Sequence, residues 1–259
     1  MHILLTNDDG VLAPGLLALK TALDAVGRVT VFAPDHNWSA AGHTKTMHKP
    51  LRADRVTLPN GDAAFSSTGA PSDCVALAVL GLVPGPIDLV VSGINRGPNV
   101  GHDITYSGTV AAAMEGVISE IPSLAVSLDV RHTDGAYAIA ATFAARLAKL
   151  INEHGLPPNT FLNVNVPDRP AAEIQGVQVT RLGRRIYRDA LVARQDPRGR
   201  DYYWIGGEWP ESVLEEGTDM WALAHGYISV TPIHLDMTAY DLLDAIRTWP
   251  LESCSTPED

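Results

Sequence analysis

The chain has 259 residues and a formal net charge of −11, with 46% hydrophobic and 19% charged residues. That composition suits one principal globular domain and excludes a disordered or fibrous class. The acidic balance excludes a protein that coats DNA or RNA, because phosphate backbones are bound through clustered Lys and Arg; small phosphorylated ligands stay open if a metal ion supplies the local positive charge.

Residues 3–6 form a short apolar run that ends in Asn7-Asp8-Asp9-Gly10 and is followed by helical apolar spacing from Pro14 to Lys20. The pattern is strand, loop, helix. There is no basic leader before this run, and no segment reaches about 18 uninterrupted apolar residues, so a cytoplasmic protein without a membrane span is expected. Residues 29–33 read as a second buried strand, stopped by Pro34-Asp35-His36-Asn37. A polar, extended stretch covers 40–67. Ala70-Pro71-Ser72-Asp73 then opens an apolar helix over 74–82, with proline tolerated in the first turn.

A strand over 87–92 empties into a long loop, 93–103, rich in Gly and Asn and suited to close backbone approach to a ligand. Tyr106-Ser107-Gly108-Thr109 leads into a small-residue helix, 110–118, then a strand, 124–128, a long helix, about 134–153, and a strand, 161–166. Strands alternating with helices predict a Rossmann-like, doubly wound α/β fold with a mostly parallel sheet, its ligand site beyond the carboxyl ends of the strands. Past Pro167 the character changes. Seven arginines fall between Arg181 and Arg200, Tyr202-Tyr203-Trp204-Ile205-Gly206-Gly207 reads as an extended hairpin arm, and a strand (226–233), a terminal helix (240–249) and a frayed tail follow. The expected division is a core over 1–180, an arm, strand and helix over 181–250 within the same domain, and a tail over 251–259.

Asp8 and Asp9 are the sharpest local signal, since adjacent carboxylates at the end of a buried strand repel unless a cation offsets them. The same residues also read as an acidic turn capping a helix. Ser39 and Asn95 follow other strands and offer neutral oxygens to the same crevice; alone, each also reads as satisfying its own loop. Such an oxygen set suits Mg²⁺ or Mn²⁺ rather than zinc. Ser107-Gly108-Thr109 lies where a helix N-terminus stabilises an anion, without the lysine of a P-loop, and is equally an ordinary N-cap. Asn99 and Asp103 read as structural first. Among the histidines, His43 and His234 are the best of a weak set of proton donors, with Asp103 beside them. The arginine run reads as an oligomer contact, and Cys74 as core. The two cysteines, Cys74 and Cys254, point to no disulfide framework.

Taken together, Leu4-Leu5-Thr6-Asn7-Asp8-Asp9-Gly10, Asn37-Trp38-Ser39, Ser67-Thr68-Gly69-Ala70-Pro71-Ser72-Asp73, Asp88-Leu89-Val90-Val91-Ser92-Gly93-Ile94-Asn95, Tyr106-Ser107-Gly108-Thr109-Val110, Asn163-Val164-Asn165-Val166-Pro167 and Gly226-Tyr227-Ile228-Ser229-Val230-Thr231-Pro232 resemble the SurE (survival protein E) family of 5′/3′-nucleotidases over nearly the whole chain. The resemblance implies one Mg²⁺ or Mn²⁺ per subunit on Asp8, Asp9, Ser39 and Asn95, with Asp8, Asp9 and Asn95 also catalytic. It implies that Ser107, Gly108 and Thr109 face the phosphate of a nucleoside monophosphate, in a homodimer or homotetramer that exchanges C-terminal elements. The rival expectation is a metal-dependent nucleotide-binding module without turnover. Two departures stand out: Gly69-Ala70-Pro71 where Gly-Thr-Pro is commoner, and Ser39-Ala40 where Ser-Gly is commoner. The arm over 184–209 carries no alignable motif.

Overall fold

The structure, a computed structural model, describes residues 1–130, 137–187, 189–207 and 211–251. The expected start of the long helix at Asp134, Arg188, Trp209, Cys254 and the tail from Ser253 lie outside the described residues.

Nineteen regular elements are used below. They are β1 (His2–Thr6), α1 (Pro14–Leu23), β2 (Arg28–Pro34), β3 (Ala53–Thr57), β4 (Ala63–Ser67), α2 (Pro71–Leu77), β5 (Leu89–Arg96), α3 (Gly108–Ile118), β6 (Ser123–Asp129), α4 (Tyr137–His154), β7 (Thr160–Pro167), β8 (Val177–Val179), β9 (Arg184–Ile186), β10 (Asp189–Gln195), β11 (Asp201–Gly207), β12 (Glu211–Val213), α5 (Asp219–Ala224), β13 (Ile228–His234) and α6 (Tyr240–Arg247). Nine strands form one sheet in the order β3-β4-β2-β1-β5-β6-β7-β13-β8. The strands from β4 to β7 in that order run parallel, while β3 and β13 run antiparallel to β4 and β7. The α/β expectation holds. The polar stretch after Ser39 contains a hairpin, β3–β4, that its weak alternation did not reveal.

Alternation along the strands decides which helix each residue meets. Ile3, Leu5, Val91, Leu124 and Val126 face α1 and α4, where Leu16, Leu19, Ala140, Ala144 and Ala148 complete a buried cluster. The alanines recur every three or four residues, which lets the helix lie close on the sheet. On the other face Leu4, Phe32 and Val90 meet Cys74 and Val75 of α2 and Ala112 of α3, and Val110 and Ala113 meet Phe161. Cys74 is core, as expected. The helix anticipated over 74–82 starts earlier, at Pro71, and widens into a π turn over Ala78–Leu82.

The chain runs from β1 to β2 on one side and then returns to place β5 on the other. The sheet therefore has its switch point between β1 and β5, and the crevice beyond their carboxyl ends is the natural ligand site. The strand expected to stop at Ser92 continues through Asn95 to Arg96, with a register shift against β6 between Ser92 and Asn95. Gly93 makes this possible: a Cβ there would stand 2.3 Å from the Val126 carbonyl oxygen. The irregularity keeps Asn95 on the strand while turning the chain end over the crevice.

Strand β13 inserts between β7 and β8, so the sheet includes residues from beyond the arm. Hairpin β10–β11 and the small pair β9–β12 lie outside that sheet. Asp219, fully buried at the start of α5, ties the pieces together. Its Oδ1 accepts from the backbone N–H of Gly183 (2.8 Å) and Met220 (2.8 Å), and its Oδ2 from that of Gly101 (2.8 Å). Among the described residues no helix is long and apolar enough to cross a membrane.

Replacing Asp219 by Ala leaves three buried donors without that acceptor. A loss of about 2–4 kcal/mol in folding stability is expected from urea unfolding, with Asp219→Asn losing less.

Candidate metal and phosphate site

Strand β1 ends in a turn that Asn7 holds with its own side chain. Its Nδ2 donates to the Gly10 carbonyl (3.0 Å), and the Gly10 N–H donates to its Oδ1 (3.2 Å). Gly10 has φ +105°, a conformation that L side chains rarely adopt. The turn delivers two consecutive carboxylates into different surroundings.

Asp8 is 3% exposed and lies against the N-terminus of α3. Thr109 Oγ1 donates to its Oδ1, and Gly108 sits so close that an added Cβ would stand 2.8 Å from the Asp8 Cβ. Burial raises the Asp8 pKa to about 6, the Thr109 hydrogen bond opposes that rise and the neighbouring Asp9 charge adds to it. Asp9 is less buried and is also shifted upward by burial, opposed by the Arg96 backbone. Its contacts are long: 3.4 Å from Asn37 Nδ2 to Oδ1 and 3.3 Å from the Arg96 N–H to Oδ2. Among the described residues neither carboxylate forms a salt bridge, although the Arg96 charge also lowers the Asp9 pKa.

The loop after β2 bends back over this turn, with the Trp38 N–H donating to the Asp8 carbonyl at 2.7 Å. The Ser39 N–H donates to Asn37 Oδ1 at 2.7 Å. Ala40 follows at φ +59°, a left-handed conformation in which a glycine would rest without strain. Asn95 spends its amide nitrogen on the Gly97 carbonyl (2.8 Å), leaving Oδ1 as the atom able to face a cation. Asp8, Ser39, Asn95, Asp103, Tyr106 and Ser107 are among the residues around one cleft of about 270 Å³.

The donor set is two carboxylates, a hydroxyl and an amide oxygen, which fits a hard divalent cation. No group of three or more His, Cys, Asp or Glu that could hold a metal occurs among the described residues, so a cation here would rest on two carboxylates completed by neutral oxygens. At the head of α3, Ser107 Oγ accepts from the Val110 N–H (3.1 Å) and caps the helix. Its own proton is then available to the cleft. Thr109, in contrast, directs its hydroxyl to Asp8.

The structure therefore brings Asp8, Ser39, Asn95 and Ser107 to one cleft, with Asp9 beside Asp8, and places Gly108 and Thr109 behind it against Asp8. Of the three proton-donor candidates only Asp103 lines the cleft. His43 Nε2 lies 3.0 Å from Glu115 Oε2, about two turns along α3. His234 pairs with Thr160 at the opposite end of the sheet.

Sequence reasoning missed the network that immobilises the loop before α3. Asn165 Oδ1 accepts from the Asn99 N–H (2.8 Å), Asn163 and Asn165 both donate to the Asn99 carbonyl (2.9 and 2.8 Å), and Asn99 Nδ2 donates to Ser127 Oγ (2.8 Å). The signal was there in Asn163-Val164-Asn165, two amides on one face of a buried strand, which call for partners.

A family model described as Survival protein SurE matches residues 3–189. The curated 5′-nucleotidase SurE of Chloroflexus aggregans is 53% identical over 254 residues, covering 97% of this chain and 100% of that protein. The 5′-nucleotidase SurE of Herpetosiphon aurantiacus is 51% identical over 249 residues, covering 96% and 98%. The crystal structure of the SurE protein from Aquifex aeolicus superposes with a TM-score of 0.81 at 42% identity, covering 95% of this chain and 98% of that one.

Two measurements follow from this geometry. Ala40→Gly removes left-handed strain from an alanine and should raise the unfolding free energy by up to about 1 kcal/mol. Asp8 has a folded pKa of about 6 against 3.8 for the free group, so the native state holds a proton that the unfolded state has released. Stability then falls as pH rises from about 4 to 6 and stays lowered above that, by at most about 3 kcal/mol. In chelator, Asp8→Asn should melt higher than the unaltered protein at pH 7.5 and at the same temperature near pH 4. A variant that melts lower at pH 7.5 contradicts the burial argument.

Proposed function

The chain belongs to the SurE family, and from that premise we propose that it is a divalent-metal-dependent phosphomonoesterase hydrolysing nucleoside 5′-monophosphates, and also 3′-monophosphates, to nucleoside and phosphate. It is an enzyme of the 5′-nucleotidase kind, as its relatives are named. The observation that carries the site assignment is the pair Asp8 and Asp9, one buried and both with raised pKa values, at the sheet's switch point and against a helix N-terminus.

In this reading Asp8, Asp9, Ser39 and Asn95 hold one Mg²⁺ or Mn²⁺ ion per subunit. When bound, such an ion offsets the two carboxylates and polarises a phosphoryl oxygen. The protein's own part is positional. The first turn of α3 presents N–H groups that lack intrahelical acceptors, which favours the charge on phosphoryl oxygens. Ser107 adds a hydroxyl proton, and Gly108, lacking a side chain, lets the head of α3 lie against Asp8. Thr109 fixes the Asp8 carboxylate from behind by donating to Oδ1. A carboxylate so buried and engaged is a poor nucleophile, which favours direct attack by water in line with the leaving oxygen. Asp9 and Asn95 orient groups in the cleft, and Asp103 is the one cleft-lining candidate of the three for protonating the leaving group.

A homodimer or homotetramer built through the C-terminal elements belongs to the same reading. Leu191, Trp204 and Ile205 of the β10–β11 hairpin are 71%, 64% and 84% exposed, and no residue of α6 is buried. Apolar surface of that kind is normally covered. The core over 1–180 would then carry the chemistry, and within 181–250 the hairpin and α6 would serve assembly while β13 completes the sheet. A cytoplasmic location accords with the unpaired thiol of Cys74.

Phosphate release should be measured from 5′- and 3′-nucleoside monophosphates, with and without Mn²⁺ or Mg²⁺. Release should require the metal and fall about a hundredfold or more in Asp9→Asn. Tight, metal-dependent nucleotide binding with no release from any substrate would instead establish a binding module.

A further inference from the structure

One charged pair stands beside the cleft, and its arginine has no part in the chemistry above. Asp103 belongs to the 3₁₀ turn Gly101–Thr105 and lines the cleft. Its Oδ2 accepts from Arg185 Nη1, at the start of the arm, and the two side chains are only 19% and 22% exposed. The contact has a single prong. Asp103 Oδ1 and Arg185 Nε are both buried without a hydrogen-bond partner among the described residues.

As a stabilising device such a pair is poor. Partial desolvation of both charges costs about as much as one hydrogen-bonded contact returns, and a paired fork would satisfy more of both groups. Its location gives it another use. The turn is fixed at three points: Gly101 N–H to Asp219 Oδ2 at 2.8 Å, Asp103 to Arg185, and the Tyr106 carbonyl accepting from the Gly42 N–H at 2.9 Å. From there the chain enters Ser107 and α3 directly, with the Tyr106 N–H on the Asp103 carbonyl (3.0 Å) and the Ser107 N–H on that of Ile104 (3.3 Å). Arg185 is itself anchored, because two residues earlier the Gly183 N–H donates to Asp219 Oδ1, on the same carboxylate that holds Gly101. Asp219 thus sets the root of β9 and the start of the turn in one frame. Arg185 and Asp103 add a side-chain tie between the same two segments, nearer the phosphate position.

We propose that Arg185 and Asp103 are a positioning pair for the phosphate subsite, holding the 101–107 segment so that the Ser107 hydroxyl and the head of α3 meet the phosphoryl group. The proposal rests on the nucleotidase reading of the cleft. It assigns the arm's first strand a part in substrate binding, distinct from assembly. The metal ligands come from the ends of β1, β2 and β5 and should not feel the loss of the pair.

The test uses the full chain with Arg185→Gln, Asp103→Asn, the double variant and Arg185→Lys. It reads kcat and KM for a nucleoside 5′-monophosphate with Mn²⁺, the affinity for inorganic phosphate in Mn²⁺, and the affinity for Mn²⁺ alone by calorimetry. Arg185→Gln should raise KM and the phosphate dissociation constant about tenfold with Mn²⁺ affinity kept within about twofold. The double variant should be no worse than either single one, and Arg185→Lys should recover part of the loss. Unchanged KM and phosphate affinity in Arg185→Gln overturns the proposal, as does a loss that tracks Mn²⁺ affinity or single effects that multiply in the double variant. If the unaltered protein releases no phosphate from nucleotides, the nucleotidase reading fails while phosphate affinity still judges the pair. Absence of phosphate binding in the Mn²⁺-loaded unaltered protein overturns both.

Discussion

The structure turns on a carboxylate kept where a carboxylate is least comfortable. Asp8 is withdrawn from water, next to another acid, and its only side-chain donor among the described residues is a neutral hydroxyl. The rest of the crevice can be understood as the means of keeping it there. Asn7 braces the turn, Trp38 closes over the backbone, and Gly108 permits a helix to come within contact distance. A fold that only needed stability would place an apolar or amide group at this position. Retaining the acid makes sense when a cation completes the site.

The second requirement is that the opposing wall stay still. The segment between β5 and α3 contains several glycines and little apolar side chain, yet it is not left loose. Buried amides from β7 grip Asn99, Asp219 grips Gly101, and Gly42 grips Tyr106. Each of these bonds ends on the loop's backbone, so the loop is held chiefly by its main chain. Flexible composition and rigid placement coexist because the rigidity comes from other strands.

Much of this was legible in the residues themselves. The alternation of buried strands with helical spacing gave the doubly wound sheet, and the position of polar clusters after β1, β2 and β5 gave the end of the sheet that carries the site. What escaped were features whose cause lies elsewhere in the chain. The β3–β4 hairpin is half exposed and lacks a clear period-two pattern. The continuation of β5 past Gly93 depends on the Val126 backbone lying alongside, which Gly93 alone does not announce. His234 looked like a candidate acid by residue type, and only the antiparallel return of β13 places it at the far end of the sheet. Asp219 had no local motif, since its three partners are Gly101, Gly183 and Met220, two of them distant in sequence.

The insertion of β13 between β7 and β8 also bears on how the molecule is made. Strand β8 finds its neighbour in the sheet only in β13, roughly fifty residues later, so on a ribosome it must wait unpaired while the entire arm emerges. The arm is therefore one long closed excursion whose two ends are stitched side by side. Closing such an excursion becomes only slowly more costly as it lengthens, about 0.6 kcal/mol for each doubling. Beyond its root at Gly183 and Arg185, the hairpin can change length and composition with little penalty to the sheet. That freedom makes it the part of the chain best placed to diverge while the crevice stays the same.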